Sequence, residues 1–158
     1  MHVLKKYTAY TIATVFGIGY APKAPGTFGT LPGVFFYFLL PNHFLILGLF
    51  AAGWLATYFV LQDKEDPDPS FVVIDEVVGM MLTLSVMSYF GIVLSLSYVI
   101  AAFLAFRVFD ILKPWPIRNV ERYFERKTTV FASFGVMIDD VIAGGLAGYL
   151  LVLISKFF

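Results

Sequence analysis

Apolar runs broken by short polar stretches set the first expectation for this chain. Residues 31–40 are apolar, Pro41-Asn42-His43 interrupts them, and residues 44–61 resume the pattern. A polar loop at 62–70 carries Asp63, Lys64, Glu65, Asp66 and Asp68 with Pro67 and Pro69. Residues 77–106 form a long apolar stretch with a turn expected at Ser88-Tyr89-Phe90-Gly91. A basic loop at 113–127 leads to a last apolar run at 141–154. A spanning helix needs about 20 residues, with a lower limit near 17, so 44–61 and 92–112 qualify. The segments 30–40 and 76–89 are shorter and would tilt, thin the bilayer or re-enter. Residues 135–155 fit if their acidic start lies at the interface. The pattern predicts an all-α fold: an integral membrane helical bundle of about five membrane helices, some short or re-entrant, with four as the alternative count. An N-terminal amphipathic helix precedes them, and residues 1–158 read as one domain.

The N-terminus sharpens that picture. Lys5 and Lys6 precede an apolar stretch at 7–20, but Ala21-Pro22-Lys23-Ala24-Pro25 follows where small residues should mark a cleavage site. An interfacial or re-entrant helix kept in the protein is the expectation.

Composition supports lipid as the solvent. Hydrophobic residues make up 59% and charged residues 14% of the 158, against about 25% charged in a soluble domain. A soluble core of this size could not hide so much apolar surface. The formal net charge of zero argues against a nucleic-acid partner. With no cysteine, disulfides and thiolate chemistry are excluded. Pairing the apolar segments as hairpins puts residues 1–29, 62–75 and 113–135 on one side. Ten of the eleven Lys/Arg residues, all but Lys156, then lie on or next to that side, and the two far turns hold none. The positive-inside rule makes it cytoplasmic.

Two segments share a pattern. Val73-Ile74-Asp75-Glu76-Val77-Val78-Gly79 and Met137-Ile138-Asp139-Asp140-Val141-Ile142-Ala143-Gly144 both run apolar, acid, acid, apolar, then glycine. Each is expected at the start of a membrane helix, where helix capping is one reading. The glycines would let the two helices approach closely and bring four carboxylates together. Such a cluster repels itself, and a hard cation with oxygen ligands, most simply Mg²⁺, would relieve it. Asp110 closes another helix. Arg107 lies three residues before it on the same face and either pairs with it or, with Lys113 and Arg118, binds a phosphate. Spacing alone leaves both readings open. The stretch Pro25-Gly26-Thr27-Phe28-Gly29-Thr30 reads as a Gly/Thr loop, which could offer N–H groups and the Thr27 hydroxyl to an anion or serve as a plain turn. It lacks the Gly-Lys-Ser/Thr ending of a Walker loop. His2 and His43 are too far apart to support a histidine metal site or a Ser-His-Asp triad.

Read together, these four motifs resemble the bacterial phosphatidylglycerophosphatase A family, over residues from about 16 to the end. The longest are Phe106-Arg107-Val108-Phe109-Asp110-Ile111-Leu112-Lys113-Pro114-Trp115-Pro116-Ile117-Arg118 and the run from Gly135 to Gly144. The resemblance implies a multi-pass protein of the bacterial inner membrane with its site facing the cytoplasm. It implies Mg²⁺-dependent hydrolysis of phosphatidylglycerophosphate, a phospholipid of the bilayer, to phosphatidylglycerol and inorganic phosphate. Asp75, Glu76, Asp110, Asp139 and Asp140 would be catalytic and hold the metal, and Thr27, Arg107, Lys113 and Arg118 would bind the substrate phosphate. Thr30 stands where serine is common in the family, and the acids of the 63–70 loop match less closely and stay outside the expected site. Without cysteine or a well-placed histidine, the nucleophile is water or an aspartate. Two other classes compete. A Mg²⁺-dependent lipid headgroup transferase would need the same metal and interface, but the Asp-Gly…Ala-Arg…Gly…Asp…Asp run typical of that family is missing. A cation transporter would need acids mid-span or on both sides.

Overall fold

The computed structural model describes residues 2–40, 43–62, 66–125 and 127–157, and the chain is all-α over them. Seven helices follow in order: α1 His2–Ala13, α2 Pro25–Leu39, α3 His43–Leu61, α4 Ile74–Tyr89, α5 Leu96–Leu112, α6 Ile117–Glu125 and α7 Thr129–Ile154. A short 3-10 turn, Ile18–Tyr20, joins α1 to α2. The turn expected at Pro41-Asn42, and Asp63, Lys64 and Glu65 of the polar loop, lie outside the described residues.

The bundle is built around α4, most of whose residues are buried, including Val77, Val78, Met80, Met81, Leu84 and Met87. Helices α2, α3, α5 and α7 pack on it, α7 most extensively, and α1 lies along α3. The α4–α7 seam is close because both helices present glycine. A Cβ at Gly144 would overlap the carbonyl oxygen of Gly79, and one at Gly79 would come 2.8 Å from the carbonyl oxygen of Asp140. The Thr83 hydroxyl sits between the Gly79 and Gly144 carbonyls, at 3.0 and 3.1 Å, and can donate to either. The close approach expected from the repeated motif is therefore present.

Three helix starts differ from expectation. The Gly/Thr stretch is not a loop but the first turns of α2. Pro25 takes the N1 position, where its missing N–H costs nothing. The Thr30 hydroxyl donates to the Gly26 carbonyl at 2.8 Å within that helix. Helix α5 begins at Leu96 rather than 92, because Gly91 ends the preceding turn at φ 84° and Ser95 is extended. Helix α7 begins at Thr129, ten residues before Asp139, so Asp139 and Asp140 are not at a helix start. The added turns are covered by α6: the Phe124 ring stacks on Phe131 and meets Phe134 edge-on, with centroids 6.3 and 5.4 Å apart.

Two helices, α3 and α7, are long and apolar enough to cross a membrane. Helices α2, α4 and α5 have 15, 16 and 17 residues, roughly 22–26 Å at 1.5 Å per residue against a hydrocarbon core of about 30 Å. Large apolar side chains face outward, with Phe16, Phe44, Val93 and Phe157 each more than 80% exposed.

Candidate active site

One end of the bundle holds a cavity of about 310 Å³ assembled from five places in the chain. The start of α2 contributes Pro25 and Gly26, and the loop before α4 contributes Asp68 and Ser70. Asp75 and Glu76 come from the first turn of α4, Arg107, Asp110 and Lys113 from the end of α5, and Asp139 and Asp140 from α7. A larger groove of about 780 Å³ beside α1, lined by Lys6, Tyr7, Tyr10 and Tyr20 among others, holds no carboxylate. Chemistry follows the acids rather than the volume.

The acids of the cavity divide into two kinds. Asp75, Glu76 and Asp140 each bring one carboxylate oxygen to within 4.8 Å of the other two. Asp139 and Asp110 are taken up by cations instead. Lys113 Nζ donates to Asp139 Oδ2 and to Glu121 Oε1, each at 2.5 Å. Arg107 Nη1 lies 2.5 Å from Asp110 Oδ2 and 3.6 Å from Glu76 Oε1. The first acid of each pair also turns back on the chain: Asp75 Oδ1 accepts the Glu76 N–H at 3.1 Å, and Asp139 Oδ1 accepts the Asp140 N–H at 2.9 Å.

Buried polar atoms without partners show what the cavity is prepared for. Among the described residues Glu76 Oε2 and Arg107 Nε are buried and make no hydrogen bond, while Arg107 Nη1 is held in its ion pair with Asp110. Leaving such groups unpaired costs about 1–3 kcal/mol each, more when charged. An unfilled carboxylate oxygen in a three-acid cluster fits a hard divalent cation, and the unfilled guanidinium Nε fits an anion. Burial alone would lower the pKa of Lys113, but Asp139 and Glu121 outweigh it and hold the ammonium charged, above the ordinary lysine value. Asp68 has an exposed surface, yet its carboxyl faces the cavity. Enclosure raises its pKa, with Lys113 opposing the shift.

Comparison with known proteins shows the family. The family model described as phosphatidylglycerophosphatase A matches residues 11–155. The chain belongs to the phosphatidylglycerophosphatase A family. An Escherichia coli K12 protein named phosphatidylglycerophosphatase A is 33% identical over 152 residues, covering 92% of this chain and 83% of its own. A Haemophilus influenzae protein of the same name is 37% identical over 141 residues, covering 85% and 80%. A Bacteroides thetaiotaomicron protein, named provisionally as a phosphatidylinositol-3-phosphatase, is 36% identical over 162 residues, covering 92% and 91%. No solved structure matches the chain.

For a member of this family, most of the expected residues meet. Asp75, Glu76, Asp110, Asp139, Asp140, Arg107 and Lys113 all line the cavity. Thr27 and Arg118 are not among its lining residues. The Thr27 N–H donates to the Ala24 carbonyl at 2.9 Å, and Arg118 Nη2 donates to the Leu112 carbonyl at 3.1 Å on an exposed face. Sequence reasoning did not select Gly26, Asp68 or Glu121. Gly26 leaves room for the Glu76 and Arg107 side-chain ends: a Cβ there would overlap Glu76 Oε1 and come 2.9 Å from both terminal nitrogens of Arg107. Its place in the Pro25-Gly26-Thr27 motif was the available signal. Asp68 was left aside with its loop, and Glu121 lies on a helix with no motif of its own.

Proposed function

We propose that this chain is a membrane-embedded, Mg²⁺-dependent phosphatase that hydrolyses phosphatidylglycerophosphate to phosphatidylglycerol and inorganic phosphate. The observation that carries the reading is one cavity holding three converging carboxylates beside the Arg107 guanidinium, whose Nε has no partner, and the charged Lys113. A phosphomonoester dianion cannot approach Asp75, Glu76 and Asp140 unless their charge is offset. These three residues would hold Mg²⁺, which when bound supplies charge neutralisation and Lewis acidity at the phosphoryl oxygens.

The chain's own groups do the rest. Arg107 and Lys113 would bind the non-bridging phosphate oxygens and stabilise charge on them as the P–O bond to glycerol breaks. A cavity carboxylate would take a proton from the attacking water and, as the carboxylic acid, return it to the departing alkoxide. Helices α2, α4 and α5 would complete a five-helix membrane bundle with α3 and α7, tilted or in a locally thinned bilayer. The cavity would face the cytoplasm, as the Lys/Arg distribution supports, so the acyl chains stay in lipid while only the headgroup enters.

A second reading has a specific motive, since the Bacteroides relative's name concerns a phosphoinositide. Both lipids carry a phosphomonoester, and the test is a comparison of the two in mixed micelles. The proposal expects phosphate release from phosphatidylglycerophosphate with a kcat/KM at least tenfold above that on phosphatidylinositol 3-phosphate. The reverse order would establish the second reading, and headgroup exchange without phosphate release would point to a transferase.

A further inference from the structure

We propose that Glu121 is a positioning residue: it fixes the Lys113 ammonium at the cavity wall so that one of its donors remains aimed at the substrate phosphate. The proposal rests on the lipid phosphatase reading and adds a residue to it. Lys113 occupies the C-cap of α5 in a left-handed conformation, φ 42° and ψ 59°, with its N–H donating to the Phe109 carbonyl. Its backbone is thereby fixed, but a four-carbon side chain still has several rotamers, and holding one of them requires partners. An ammonium has three N–H donors. Glu121 Oε1 and Asp139 Oδ2 take two, both at 2.5 Å. The third is left for the cavity that Lys113 lines.

The placement of Glu121 follows from how α6 is seated. Ile117, Glu121 and Phe124 are spaced i, i+4, i+7 and share one face of that helix. Ile117 is fully buried, and Phe124 packs so closely on Gly135 that a Cβ there would come 2.6 Å from the Phe124 Cβ. The two apolar anchors hold Glu121 between them, facing the end of α5, while Arg118 and Arg122 on the same helix are exposed. Asp139 alone could draw Lys113 along the α7 side. Glu121 pulls from the α6 side, and the ammonium is held between the two.

Wild type, Glu121→Ala and Glu121→Gln in detergent micelles decide the matter, with two readouts. The first is acetylation of Lys113 by acetic anhydride, followed by peptide mass spectrometry with the exposed Lys23 as internal reference. Labelling should be at least fivefold faster in Glu121→Ala than in wild type. The second is phosphate release from phosphatidylglycerophosphate. Glu121→Ala should lower kcat/KM at least tenfold, and Glu121→Gln, which keeps an acceptor in place, should recover most of the loss. In a Lys113→Met background Glu121→Ala should change kcat/KM less than twofold, because the effect runs through Lys113. Unchanged labelling, near-normal turnover in Glu121→Ala, or a full further loss in the Lys113→Met background would overturn the role. If Glu121→Ala does not fold, Glu121→Gln carries the test, and Lys113 labelling at the wild-type rate together with turnover below a tenth of wild type overturns the role. Wild type that releases no phosphate from any lipid phosphomonoester would instead overturn the phosphatase reading, and the role with it.

Discussion

Asparagine at Asp75 or Asp140 keeps the shape of the side chain but removes a charge and weakens a cation ligand. Both variants should lose more than tenfold in turnover, above about 1.4 kcal/mol in the barrier, while their unfolding in micelles changes little. Excess Mg²⁺ should recover part of the loss. Near-normal turnover with about 0.5–2 kcal/mol less stability would mark these acids as helix caps. For Asp140 capping is already remote, because it lies eleven residues inside α7. Gly26→Ala should also cut turnover at least tenfold, since its Cβ would displace the Glu76 carboxylate and crowd Arg107. Wild-type rates in that variant would mean the approach is not needed. The repeated acid pairs made Asp75, Glu76, Asp139 and Asp140 legible in the sequence. That Asp139 turns to Lys113 was not legible, because its aim depends on how α5 ends, 26 residues earlier. The contact of Gly26 with Glu76 likewise joins residues fifty positions apart, which no local pattern encodes.

The α4–α7 crossing puts the two acidic pairs in reach of each other, and its closeness is testable by volume. Gly144→Ala sets a methyl against the Gly79 carbonyl and should cost about 1–3 kcal/mol by overpacking. Gly145→Ala, one position on, meets nothing within 4 Å. It should be neutral or gain up to about 1 kcal/mol from helix propensity. Chemical unfolding of both in the same detergent checks the contrast, and equal effects would remove the seam from the account. The acid-to-glycine spacing revealed this crossing from sequence. The same reasoning misjudged where helices begin. The stretch 25–30 reads as a loop because of its two glycines, yet Pro25 at N1 and packing against α4 make it helical. Residues 129–138 mix polar and apolar types, and their helix is stabilised by α6, a partner whose docking is a tertiary event.

Across the whole molecule, the charged groups of the site come from α4, α5, α7 and the loop before α4 and meet at one end of the bundle. The chain has no cysteine, so each introduced cysteine is a unique label. Asp66→Cys and Arg122→Cys should react with an impermeant thiol reagent from the cytoplasmic side, and Ser88→Cys only from the other. Labelling of positions 66 and 88 from the same face would break the proposed topology. The number of crossings is hard to read from the sequence, because α2, α4 and α5 are shorter than a bilayer is thick. Asp75, Glu76 and Asp140 are proposed to form a metal-dependent phosphatase centre. Its most direct test is a Mg²⁺ titration of purified wild type and Asp140→Asn, reading Mg²⁺ binding by calorimetry and phosphate release from phosphatidylglycerophosphate in parallel. Binding should be saturable and track turnover in wild type, with both weakened at least tenfold in Asp140→Asn. Full turnover of the dialysed wild type in excess chelator would contradict it.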